Sequence, residues 1–86
     1  MITVRWQLAK HCPYVDEIDV GTLTITCPRD APELHALATD IRKISAEPVS
    51  HEEFTRQVEA LLPSGSTVTW ETQTGPFGVV VTEHAA

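Results

Sequence analysis

The sequence predicts an α+β protein in which a four-stranded antiparallel sheet carries two helices on one face. Four short segments alternate between apolar and polar residues, as strands do, and two segments between them repeat apolar residues at helical spacing. Their order along the chain is β-β-α-α-β-β, which favours a sheet layer packed on a helix layer. With 86 residues, the chain is expected to form a single domain over 1–86.

The first two strands are predicted at 2–8 and 20–27, because both segments alternate and are rich in β-branched residues. The polar stretch 9–19 contains Pro13 and is interpreted as a loop. The alternation in the second strand places Cys27 on its apolar face, where we expect a buried, unreactive thiol.

The first helix is predicted at 31–44, after Pro28 ends the second strand and with Asp30 as the N-cap. Apolar residues recur in it at spacings of three and four, which indicates one buried stripe formed by Leu34, Leu37, Ile41 and Ile44.

The second helix is predicted at 51–62, with Ser50 as N-cap and Glu53 completing a capping box. Pro63 follows and ends it. Its expected buried face consists of Phe54, Val58, Leu61 and Leu62.

The last two strands are predicted at 66–73 and 77–83, joined by a turn at 74–76. The alternation places Val68 and Trp70 on one face of the third strand. An open sheet in so short a chain has two edges that invite pairing with another copy, so we expect a homo-oligomer with cyclic symmetry.

The formal net charge of −6 and only six scattered Lys and Arg residues argue against nucleic-acid binding by a monomer, although an oligomer could gather these cations. No apolar run approaches the length of a membrane span, and the first ten residues lack the pattern of a signal peptide. We therefore expect a cytoplasmic protein, with no membrane partner and with reduced thiols.

Cys12 is the strongest candidate for chemistry, although a lone loop cysteine is more often inert. His11 could favour the thiolate and Pro13 stiffens the backbone behind the thiol. Asp19 follows seven positions after Cys12, where the second strand begins. A nucleophile on a loop and an acid at a strand end form a workable pair, in which the acid protonates an atom that becomes basic when sulfur attacks.

The segment Ser-His-Glu-Glu at 50–53 has both a structural and a functional interpretation. Structurally, Glu52 is a solvated acid favoured by the positive end of the helix dipole. Functionally, a carboxylate at this place could accept the two adjacent N–H groups on the edge of a guanine-like ring. His51 beside it gains nothing from the dipole. The four histidines and Cys12 have no metal-ligand spacing, so no metal is expected.

The stretch Cys12-Pro-x5-Asp19 resembles the motif of the 7-cyano-7-deazaguanine reductase (QueF) family, and the downstream His-Glu pair resembles that family's helix start. The element order is similar to that of the tunnelling (T-) fold to which the family belongs. The resemblance extends from about residue 3 to residue 82 and implies rings of subunits with sites between them.

The resemblance implies a role for each matching residue. Cys12 corresponds to the nucleophile that forms a thioimide with the nitrile, and Asp19 to the acid that protonates the nitrile nitrogen. His51 and Glu52 correspond to the pair that lines the pocket, with Glu52 on the deazaguanine edge. Glu33, in the segment after the second strand, is assigned with Glu52 to substrate binding.

Two departures from the reductases concern NADPH. The segment around Glu33 has no lysine, and the last hairpin has no arginine. Because a 2′-phosphate is held by Arg or Lys, no cofactor is expected. The chain is more similar to the short QueF-like amidinotransferases, which lack this segment and use ammonia or another amine to convert the nitrile to an amidine on a modified tRNA base.

Two alternatives remain. One is an NADPH-dependent reductase that holds the cofactor through Arg29 or Arg42. The other is a non-catalytic T-fold module that binds a purine-like or pterin-like ligand. For the amidinotransferase, the 7-cyano-7-deazaguanine could be the free base or part of a nucleic acid.

Overall fold

A computed structural model describes residues 1–11, 13, 18–29, 32–73 and 79–85. These residues form one sheet and two helices, and the predicted element order and α+β architecture are confirmed. The elements are β1 (Ile2–His11), β2 (Ile18–Cys27), α1 (Leu34–Ala46), α2 (His51–Glu59), β3 (Thr67–Gln73) and β4 (Val79–Ala85).

The sheet has the strand order β1-β2-β3-β4, and each strand pairs antiparallel with its neighbour. The middle of the sheet aligns Trp6 with Leu23 and Leu23 with Trp70, so these three side chains lie on one face. Both helices pack on this face. Strands β1 and β4 form the two edges.

The predicted loop 9–19 is wrong at both ends, since β1 continues to His11 and β2 already begins at Ile18. Lys10 pairs with Asp19, and the ladder therefore extends past the apolar part of the strands. The apolar alternation does not predict this extension, because the added positions include the polar residues Lys10, His11 and Asp19. The predicted turn at 74–76 lies outside the described residues.

The core lies between the helices and one face of the sheet. The ring of Phe54 meets that of Trp70 edge to face, with centroids 5.2 Å apart, a favourable aromatic geometry. Cys27 is buried, as predicted. The buried apolar side chains are Leu23, Ile25, Cys27, Leu37, Ile41, Val49, Phe54, Val58, Val68 and Trp70.

Gly21 allows β2 and β3 to approach each other beneath Trp70. A Cβ atom at this position would lie 2.2 Å from the carbonyl oxygen of Glu71 and 3.0 Å from two carbons of the Trp70 ring. No ordinary side chain fits that space, so Gly21 is needed for close packing rather than for a special backbone angle.

Helix α1 begins later than predicted, at Leu34 rather than residue 31, and its N-cap is Glu33. The Glu33 carboxylate accepts the N–H groups of His35 at 3.0 Å and Ala36 at 2.8 Å. Leu34 is exposed, and the buried stripe starts at Leu37. The predicted cap, Asp30, lies outside the described residues.

Helix α2 has the predicted N-cap, because the Ser50 hydroxyl accepts the N–H of Glu53 at 3.2 Å. The Glu53 carboxylate does not complete the box; it accepts hydrogen bonds from Arg56 and from Gln57 further along the helix. The helix ends at Glu59, three residues before the prediction. Leu61, expected to be buried, is consequently exposed.

Candidate functional site

The candidate site lies where the ends of β1 and β2 meet the start of α2. It contains a buried lysine, Lys10, whose ammonium group has no exposed surface. Lys10 shares a face with Trp6 and Leu8, so the alternation of β1 directs it toward the helices. Its Nζ donates to the carbonyl oxygen of Val49 at 2.7 Å and lies 3.4 Å from that of His11.

Asp19 faces Lys10 across the ladder, and its side chain is only 15% exposed. Its Oδ2 atom lies 3.6 Å from Lys10 Nζ and 3.3 Å from His51 Nε2. The carboxylate therefore lies between an ammonium group and an imidazole, a setting that can hold it in one orientation and exchange a proton with a neighbour.

His51 is the first residue of α2, and its ring is 19% exposed. The Ser50 cap fixes the backbone just before it, and the backbone N–H of Val49 donates to the carbonyl oxygen of His11 at 3.3 Å. The cap fixes the first turn of α2, and the hydrogen bond from Val49 to His11 holds the start of the helix against the end of β1. This placement explains how His51, 32 positions from Asp19 in sequence, reaches the Asp19 carboxylate.

A groove of about 550 Å³ lies beside this cluster. It runs between the end of α1 and the start of α2, and Val49 and Ser50 form part of its wall. Pro13, the residue after Cys12, also lines it. The full lining is Pro13, Lys43, Ile44, Glu47, Pro48, Val49, Ser50, Glu53 and Gln57.

The remaining predicted site residues are placed as follows. Cys12 lies outside the described residues, while its neighbours His11 and Pro13 are both exposed. Glu52 is exposed in the first turn of α2. Glu33 caps α1 and contacts His35, whose ring Nδ1 lies 2.9 Å from it. The hydrogen bonds from the backbone of His35 and Ala36 hold the pKa of the Glu33 carboxyl below its ordinary value.

The structure thus brings together two of the predicted residues, Asp19 and His51, and adds one that the sequence analysis did not select. Lys10 was missed because it was assigned to a loop. The sequence does contain a signal for Lys10, because it lies two residues after Leu8 and so on the same face of a continued strand. A lysine on the apolar face of a strand needs a buried partner.

No group of three or more His, Cys, Asp or Glu side chains that could hold a metal ion occurs within the described parts of the chain. Across the same residues, no helix is long and apolar enough to cross a membrane.

Comparison with known proteins identifies no relative of this chain: no protein-family model matches it, and neither a curated protein nor a solved structure gives a significant match.

Proposed function

We propose that this protein is a QueF-like T-fold enzyme that acts on the nitrile of 7-cyano-7-deazaguanine through Cys12. The observation that supports it most is the contact of 3.3 Å between Asp19 Oδ2 and His51 Nε2. It joins the Cys-Pro-x5-Asp stretch to the His-Glu pair, two motifs that are unrelated in sequence but belong to one site in the proposed family.

In the first step, Cys12 Sγ adds to the nitrile carbon, and one bond of the C≡N group is converted to a bond to sulfur. The thiol proton ends on the nitrile nitrogen, so the addition is balanced without any other reactant. Asp19 transfers this proton: its carboxylate accepts it from sulfur and delivers it to nitrogen. The product is a covalent thioimide.

In the second step, ammonia or a primary amine attacks the thioimide carbon. The carbon–sulfur bond breaks, the proton lost by the amine returns to the Cys12 sulfur, and the product is an amidine. This outcome is preferred to reduction because no lysine or arginine stands where the reductases are expected to bind NADPH. Glu52, exposed at the start of α2, is available to accept the two N–H groups of the deazaguanine edge.

The first test is intact-mass measurement after incubation with 7-cyano-7-deazaguanine. We expect an adduct on the wild type and on Cys27→Ala, the control that removes the other cysteine, but none on Cys12→Ala. An unmodified wild type, or an adduct retained by Cys12→Ala, would contradict the proposal.

Adding ammonia or NADPH to the adduct then separates the possible reactions. Release of an amidine by ammonia supports the transferase reaction, whereas nitrile-dependent oxidation of NADPH identifies a reductase. Binding of the nitrile base without any adduct would identify the non-catalytic module, and in that case Glu52→Gln should weaken binding while Cys12→Ala should not.

A further inference from the structure

Lys10 is the residue of the site that the QueF resemblance does not account for. Its ammonium group is fully buried, at the junction of β1, β2 and the segment that leads into α2. We propose that Lys10 is a positioning residue that holds the Asp19 carboxylate in register with His51. The chemical part of this inference rests on the proposed function, whereas the geometric part does not.

The cost of burying this charge argues that it does more than fill space. Taking an ammonium group out of water is unfavourable unless charged and polar partners offset the loss of hydration. The apolar register of β1 could continue through this position with leucine or methionine, which would need no partner. Lys10 instead has the carbonyl oxygen of Val49 at 2.7 Å and the carboxylate of Asp19 at 3.6 Å.

The two contacts connect different segments of the site. The hydrogen bond to Val49 attaches the end of β1 to the residue that precedes the Ser50 cap, 39 positions away in sequence. The ion pair attaches the same ammonium group to Asp19 on β2. Lys10 therefore fixes the position of the start of α2, and with it His51, relative to the Asp19 carboxylate.

Lys10 and His51 both approach Asp19 at Oδ2. Two groups on one carboxylate oxygen restrict rotation of the carboxyl plane, and neither of them contacts Oδ1, the oxygen to which we assign the proton transfer proposed above. An acid that is misplaced by about 1 Å can lose a hundredfold in rate, so a residue that holds it can matter for catalysis without touching substrate.

The test compares Lys10→Met, which keeps a long side chain and removes the charge, with Arg5→Met, which removes an exposed cation from the opposite face of β1, away from the groove. For Lys10→Met we expect adduct formation at saturating nitrile to slow by about tenfold to a hundredfold. The nitrile concentration for half-maximal rate should change by less than about threefold, since the loss concerns the reaction rather than binding. Arg5→Met should react like the wild type.

A second readout does not need any activity. The ¹H–¹⁵N signals of the His51 imidazole report whether the ring is hydrogen-bonded to Asp19. We expect Lys10→Met to shift these signals toward those of Asp19→Asn, in which the carboxylate is absent. Should Lys10→Met unfold, the double variant Lys10→Met/Asp19→Asn, which removes both charges of this ion pair, is expected to fold and to give the Asp19→Asn signals.

The two readouts separate the failure of this inference from that of the proposed function. No adduct on the wild type overturns the proposed function, while the His51 signals still test Lys10. Wild-type His51 signals in Lys10→Met overturn the positioning role, as does a wild-type rate of adduct formation in that variant. Failure of the double variant to fold would assign Lys10 to stability alone.

Discussion

Gly21 has no room for a side chain in the packing of the sheet. Its missing side chain lets the backbone of β3 and the ring of Trp70 approach β2. We predict that Gly21→Ala destabilises the protein by about 3 kcal/mol, because the new methyl group overlaps a carbonyl oxygen that belongs to the sheet backbone and cannot rotate away. Urea unfolding followed by tryptophan fluorescence measures the change.

Thr24→Ala on the opposite face of β2 is the control for Gly21→Ala. This face is not covered by the helices, so the loss should be less than about 1 kcal/mol. Equal losses for the two variants would mean that strand propensity, and not the close approach to Trp70, determines the result.

At the scale of single residues, the alternation of the strands correctly predicts that Cys27 is buried and that Val68 and Trp70 share a face. The capping pattern correctly predicts Ser50 as an N-cap. Neither pattern locates Lys10, whose environment is set by Val49 and Asp19. Contacts between residues so distant in sequence depend on how the elements dock, and no local pattern encodes them.

Among the elements, helix α2 contains a carboxyl group with a strongly lowered pKa, that of Glu53. The Glu53 carboxylate accepts hydrogen bonds from Arg56 and Gln57, and these lower the pKa of Glu53 from 4.5 to about 2. A carboxyl with a lower pKa in the folded state stabilises the fold above its unfolded-state pKa. That contribution should be complete above about pH 4.5 and be lost as the pH falls toward 2.

We therefore predict that the carboxyl carbon of Glu53 titrates in NMR with a midpoint near 2, and that Arg56→Met moves this midpoint up toward 4.5. Arg42→Met, which removes an exposed arginine from α1, should leave it in place. A Glu53 midpoint that is the same in wild type and Arg56→Met would refute the role of Arg56. The effect on stability should be small, because the pair is exposed and screened by water.

The bounds of the elements were the part of the fold that the sequence predicted least well. Helix α1 starts after Glu33 because that carboxylate caps it, although a proline at 32 and an aspartate at 30 favoured an earlier start. Strand β1 runs to His11 because β2 pairs with it there. In both cases the end of an element depends on a hydrogen-bond partner, and periodicity does not identify that partner.

On the scale of the whole molecule, the described part of the chain leaves one face and two edges of the sheet uncovered. That face carries threonines in its middle and exposed apolar residues toward one end, namely Ile18, Val20, Val79 and Val81. Strands β1 and β4 at the edges can pair with another chain. Exposed apolar groups beside unpaired edges favour association of copies of this chain.

We predict that light scattering gives the wild type a mass of several copies, as the proposed ring requires. Val81→Lys should lower that mass, because it places a charge beside the β4 edge on the uncovered face. Lys43→Met, on α1, should leave it unchanged. A wild-type mass of one copy would contradict the ring, and an unchanged mass for Val81→Lys would exclude this part of the sheet from the contact.

The long sequence separation within the site has a consequence for how the chain folds. Lys10 reaches Val49 across 39 residues and His51 reaches Asp19 across 32, so neither contact can form before the hairpin and the second helix have docked. Closing such loops costs entropy that only the finished packing returns. We therefore expect the cluster of Lys10, Asp19 and His51 to be completed late in folding, after the elements that carry it have docked.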